Sequence, residues 1–158
     1  MSSPRPQRRG RAIAMSPAEL DEFLAGERTC RMATVGSAGE PHVTPLWFVW
    51  DGSSLWLNSL VRSQRWADVA ARPEVAVAVD AGTAFDELRG VELTGPVAVV
   101  GEVPRGTAAV PALDEVERLY ALKYGFPTGF APDGRHAWLR LTPAKVVSWD
   151  FRKMSATD

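Results

Sequence analysis

The chain has 158 residues, 46% apolar and 23% charged, which suits one globular domain around one core. Its formal net charge of −1 gives no electrostatic case for nucleic acid or membrane as a partner, and no apolar run is long enough for a transmembrane helix. The single cysteine, Cys30, excludes an intrachain disulfide, fits a reducing cytoplasm and reads as a buried, inert thiol.

The start, MSSPRPQRRGRA, carries Arg5, Arg8, Arg9 and Arg11 with no apolar segment behind them, so it is not a secretory signal. Residues 1–14 read as a disordered basic tail and residues 15–153 as a single domain. Ser16-Pro17-Ala18-Glu19 predicts a helix start with a capping box, and Leu20, Phe23 and Leu24 give it an apolar stripe that stops at Gly26. Three strands follow: Thr29 to Val35, Pro41 to Trp50 and Leu55 to Asn58. The turns Gly36-Ser37-Ala38-Gly39 and Asp51-Gly52 make them an antiparallel meander. Ser63 caps a short helix to Ala71, and Glu74 to Asp80 is the next strand. Gly82 to Gly90 reads as a charged loop, and Val91 to Val103 as a long strand bulged at Gly95-Pro96, where proline cannot donate to a ladder. A helix over roughly Ala109 to Tyr124, a loop from Gly125 to Gly134, and closing strands Ala137 to Leu141 and Val146 to Phe151 complete the chain. Strands dominate and short turns join most of them. Such a meander manages its edges best by closing into a barrel.

Two stretches carry more than architecture. From Leu46 onward the second strand is large and apolar on both faces, where a half-wet strand would alternate. One face fills the barrel. The other, read as Leu46, Phe48 and Trp50, needs a cover: a second copy of the chain, a flat aromatic ligand, or the chain's own helices. A homodimer with two-fold symmetry is the leading expectation. The second stretch is Asn58-Ser59-Leu60-Val61-Arg62-Ser63-Gln64-Arg65, between a strand and a helix start. Amides at a helix N-terminus, serine hydroxyls and the guanidinium forks of Arg62 and Arg65 together suit one phosphate group, or else form a plain capped helix with solvated arginines.

The order and spacing of several motifs resemble the pyridoxamine-phosphate-oxidase-like split-barrel superfamily. They are Ala33-Thr34-Val35, then Pro41-His42-Val43-Thr44-Pro45-Leu46-Trp47-Phe48, Leu55-Trp56-Leu57-Asn58, Ser63-Gln64-Arg65 and Arg72-Pro73-Glu74-Val75-Ala76. With Thr142-Pro143-Ala144-Lys145-Val146-Val147-Ser148-Trp149 the resemblance covers about residues 16–152. It is closest to the actinobacterial F420-dependent oxidoreductases of the B subgroup. It implies a mainly β fold, a six- to seven-stranded antiparallel split β-barrel with peripheral helices. It also implies a ring backed by the strand at Thr44, Pro45, Leu46 and Trp47, with the cofactor phosphate held by Asn58, Ser59, Ser63 and Arg65. Gln64 stands where oxidases of the group carry the first of a basic pair.

The function expected on that basis is hydride transfer from reduced F420, a deazaflavin, to a small or planar organic acceptor. FMN is the alternative cofactor, and a non-catalytic flavin, F420 or haem carrier or a cofactor-free dimer are rival readings. Such chemistry belongs to the cofactor and needs no protein nucleophile. Arg62, Arg65 and Arg89 are the cations available to the anionic tail of F420. Trp149 and Arg152 echo residues that vitamin-B6-binding members use. His42 and His136 read as structural rather than as haem or metal ligands.

Overall fold

The structure, a computed structural model, describes residues 3–8 and 10–157, with side chains as far as Met154. Helix α1 (Pro17–Gly26) begins with the expected capping box: Ser16 Oγ accepts from Glu19 N–H at 3.2 Å, and Glu19 accepts from Ser16 N–H. Then come β1 (Thr29–Val35), β2 (Pro41–Trp50), β3 (Leu55–Leu60), α2 (Gln64–Ala71), β4 (Glu74–Ala81), β5 (Arg89–Val100), α3 (Pro111–Tyr124), β6 (His136–Leu141) and β7 (Lys145–Asp150). Every strand pairing is antiparallel. The neighbour order β4-β1-β2-β3-β6-β5 closes on itself through β4–β5, and β7 is added outside that circuit along β5. The fold is the split β-barrel: six strands in a closed ring, a seventh beside it, and helices on the periphery.

Strand alternation puts every second side chain inside. Cys30 and Met32 of β1, Phe48 of β2, Leu55 and Leu57 of β3, Val75, Val77 and Val79 of β4, Val91 and Leu93 of β5, and Leu139 and Leu141 of β6 form the core, with Phe23 and Leu24 of α1 packed against it. A second cluster lies on the outer face of β2, β3 and β6. There Val49, Trp56 and Trp138 pack under Leu113 and Val116 of α3.

Two expectations change. Gly95-Pro96 is a change of partner rather than a bulge. One edge of β5 follows β7 from Arg89 to Thr94 and then β6 from Val97 to Val100, while the other pairs with β4 from Arg89 to Pro96. The turn between β6 and β7 crosses Gly95, and a Cβ there would run into the Thr142 carbonyl oxygen and the Ala144 amide. Second, the face of Leu46, Phe48 and Trp50 is the barrel-facing side of β2: Phe48 is fully buried and the other two pack on the core. The side left uncovered is Val43, Pro45 and Trp47, with Val43 63% exposed and Trp47 41%. The periodicity of the strand was legible, but its phase was not. Both sets are apolar, so hydropathy alone cannot choose between them.

The amino-terminal segment lies along the free edge of β7. Arg5 N–H donates to the Ala144 carbonyl at 2.9 Å, and the Gln7 amide bonds both the N–H and the carbonyl of Ser148. Backbone groups of an edge strand need partners, and this segment supplies them. Arg9 of that basic run lies outside the described residues.

Candidate functional site

The barrel is open along one line. The ladder between β2 and β3 runs from Trp50↔Leu55 to Phe48↔Leu57 and stops. Beyond it β2 keeps its pairing with β1 and β3 keeps its pairing with β6, so the two strands part into the lips of a seam. Tyr124, at the end of α3, holds the point of divergence. Its hydroxyl accepts from Phe48 N–H at 2.9 Å and donates to the Arg28 carbonyl at 2.7 Å. Its ring stacks on Trp47 with centroids 4.1 Å apart and planes 6° from parallel.

Arg65 fills the seam. It sits in the first turn of α2, which Ser63 caps by accepting from Trp66 N–H. The capped helix turns Arg65 into the gap, where Nε donates to Ser59 Oγ on β3 at 3.0 Å and Nη1 to Thr44 Oγ1 on β2 at 2.5 Å. The side chain is 7% exposed, and among the described residues no carboxylate pairs with it. Burial pulls its pKa below the ordinary arginine value. A guanidinium remains charged regardless, and the side-chain partners it has among the described residues are neutral hydroxyls. The backbone N–H groups of Gln64 and Arg65 lie in the first turn, ahead of any intrahelical acceptor. A buried cation and a helix N-terminus thus meet at one spot, an arrangement that favours an anion.

A second set of polar groups fixes α2 to the barrel. The buried Asp68 carboxylate accepts from Thr34 Oγ1 at 2.7 Å and Gln64 Nε2 at 2.8 Å, with His42 Nδ1 at 3.7 Å. Hydrogen bonds from Thr34 and then Gln64 outweigh burial and hold the Asp68 carboxyl below the usual range. Gln64 is therefore engaged by its own helix rather than aimed at the seam. Sequence reading missed Thr34 and Asp68 in this role. An aspartate four residues after Gln64 on a helix was the available signal.

The structure brings Thr44, Ser59 and Arg65 together, with Ser63 beside them as the cap. Ser63 Oγ also donates to the Leu60 carbonyl at 2.7 Å. Arg62 is exposed at the mouth of the same loop. Pro45 and Trp47 lie on the outer face of β2, and Leu46 points into the barrel. Asn58 points to the opposite side of β3 from Ser59, toward a cavity beside α3. Arg89 is not gathered with the others in one chain. It lies on β5, two strands from β3 and three from β2 around the barrel, over the Phe23 ring at 5.6 Å. Arg152 is committed to Asp150 through two hydrogen bonds of 2.6 and 2.8 Å. Cys30 is buried and its thiol is pushed up to about 12 by that burial, the property of an inert group. Among the described residues no helix is long and apolar enough to cross a membrane.

Residues 16–150 match a family model described as pyridoxamine 5′-phosphate oxidase. Among solved structures, the conserved hypothetical protein Rv2991 from Mycobacterium tuberculosis is similar at 28% identity and a TM-score of 0.76, over 96% of this chain and 93% of that one. A protein described as an F420 reductase matches at 23% identity and a TM-score of 0.61, over 80% and 94%. A FAD-binding protein from Mesorhizobium loti matches at 19% identity and a TM-score of 0.66, over 85% and 93%. No curated protein matches the chain.

Proposed function

The chain belongs to the pyridoxamine 5′-phosphate oxidase family, and on that premise we propose that it is an oxidoreductase that binds F420 through its phosphate at Arg65 and reduces a small organic acceptor. FMN, which shares the ring shape and a proximal phosphate, is the alternative cofactor. The observation that carries the reading is Arg65: a buried guanidinium spanning the seam from Thr44 to Ser59, with no carboxylate among the described residues to neutralise it. When bound, a deazaflavin supplies hydride transfer, and FMN supplies hydride or single-electron chemistry.

What the chain's own residues do is bind, orient and shield. Arg65, with the open amides of the first turn of α2, would grip the phosphate. Thr44 and Ser59 hold the guanidinium in place for it. The exposed Arg62 is the nearby cation for an anionic tail. The apolar outer face of β2, at Val43, Pro45 and Trp47, offers a flat surface to a ring, a second subunit, or both. A symmetric pair of chains meeting there would exclude water from the cofactor, and we include a homodimer in the proposal. Arg152, already paired with Asp150, is not free for vitamin B6 phosphate, which argues against pyridoxamine-phosphate oxidation as the reaction.

The test is a fluorescence titration of the purified protein with F420 and, separately, with FMN, repeated with Arg65→Ala. Saturable binding that weakens in the variant by about 1.5–3 kcal/mol, roughly 10- to 150-fold, is the expected result for a lost hydrogen-bonded charge. Equal affinity in both proteins would remove the phosphate from Arg65.

A further inference from the structure

The amino-terminal segment does more than cover the edge of β7. Arg5 forms an isolated parallel bridge with Lys145, so two cationic residues stand directly opposite each other on neighbouring strands, which lie about 4.8 Å apart. Like charges placed opposite each other in a ladder are destabilising. Strand alternation puts Lys145 and Val147 on one face of β7, and Arg5, as the bridge partner of Lys145, shares that face. Arg8 follows three residues on. These residues, with Pro6 and Gln7, line one groove of about 570 Å³.

The repulsion is built in. The Arg5 N–H on the Ala144 carbonyl and the Gln7 amide on both backbone groups of Ser148 hold the segment on the strand. Arg11 donates from Nε to the Gln7 carbonyl at 3.1 Å and so brings a fourth guanidinium beside the segment. Arg5, Arg8 and Lys145 are all exposed, and among the described residues none of them makes an ion pair. The acid closest in register is Glu92, which stands opposite Val147 on β5 and is therefore a diagonal neighbour of Lys145. It forms no ion pair with Lys145. Backbone bonds thus hold like charges face to face in a groove whose lining contains no carboxylate.

We propose that this groove binds an oligophosphate, two or more linked phosphate groups, with Arg5 and Lys145 gripping one phosphate and Arg8 the next. A phosphate presents oxygens in several directions and can accept from cations on two strands at once, whereas a carboxylate offers two oxygens in one plane. The lining has no aromatic ring on which a base could stack, which disfavours a nucleic-acid strand. A bound anion would also turn the repulsion between Arg5 and Lys145 into a clamp that holds the segment on β7. The site lies on β7, outside the ring of strands that contains Arg65, and goes beyond the cofactor reading, so its test uses the protein without cofactor.

The experiment is a calorimetric titration with tripolyphosphate at about 0.1 M salt, which screens charges more than about 10 Å apart. Tricarballylate and a short oligothymidylate are titrated in parallel. Trypsin cleavage after Arg8 is followed by mass spectrometry with and without tripolyphosphate. Saturable binding of tripolyphosphate, at least tenfold weaker binding of the other two, and slower cleavage after Arg8 are expected. The double variant Arg5→Gln, Lys145→Gln should bind at least tenfold more weakly and lose the protection, with its melting temperature confirming that it folds. Arg65→Ala should bind tripolyphosphate as the parent does, which separates this groove from the seam. No saturable binding, equal or tighter binding of either rival, unprotected cleavage, an unaffected double variant, or binding lost in Arg65→Ala would each overturn the assignment.

Discussion

At the scale of single residues, a buried cation and a half-buried one behave differently. Arg65 retains its charge in the seam, whereas Lys123 is pulled down to about 8 by burial. Lys123 donates to the Leu24 carbonyl at 3.0 Å, in the last turn of α1, and lies 3.8 Å from the centre of the Phe48 ring. Its ordinary value is 10.5. Between about pH 8 and 10.5 the unfolded chain therefore holds a proton that the folded protein has released, and this group makes stability rise with pH through that window. Lys123→Met removes that slope. Measured by urea unfolding, the variant's stability relative to the parent is highest below pH 8 and declines toward pH 10.5. A difference that is flat with pH would contradict the assignment. Lys123 stands in the last turn of α3, where a cation suits the dipole of its own helix. The structure shows it serving the carboxy-terminal end of another helix, a tertiary contact that no local pattern encodes.

At the scale of elements, β5 is the member on which the split depends. Its first half joins β7 and its second half joins β6, and the switch needs the turn at Thr142-Pro143 to lie directly on Gly95. Gly95→Ala should lower stability by about 1–3 kcal/mol, the usual range for forcing atoms into a packed site, with unfolding in denaturant as the measurement. Unchanged stability would mean that the turn can lift away freely. The boundaries of β1 and β2 were legible in the sequence because turn residues bracket them. The partner switch in β5 was not, because a proline within a strand signals an interruption without saying which kind. Of the proposed phosphate site, the placing of Ser63 and Arg65 at a helix start was legible from their spacing. That Thr44 and Ser59 meet across a seam follows only from where the β2–β3 ladder ends.

At the scale of the whole molecule, the ring of six strands leaves one apolar strip without cover. Val43, Pro45 and Trp47 present it on β2, and Leu60 at the end of β3 is likewise 41% exposed. Light scattering at micromolar concentration should report a dimer. Val43→Glu, which would set two carboxylates against each other across a two-fold axis, should shift it to monomer without changing the circular dichroism spectrum. A parent protein that is already monomeric would end this reading. The barrel itself was legible from strand count and short turns. The interior face of β2 was not, and correcting it moves the expected interface from Leu46, Phe48 and Trp50 to the opposite side of the same strand.

The bridge that Arg65 makes across the seam has a bearing on how a ligand would arrive. A long arginine side chain normally gives up on the order of 2 kcal/mol of rotamer entropy when it is immobilised. Here Thr44 and Ser59 already fix it, so that loss falls on folding of the chain rather than on association. The remaining donors wait in a set geometry. Capture of the proposed cofactor phosphate at this spot would thereby be preorganised, with little ordering of the protein left to accompany it.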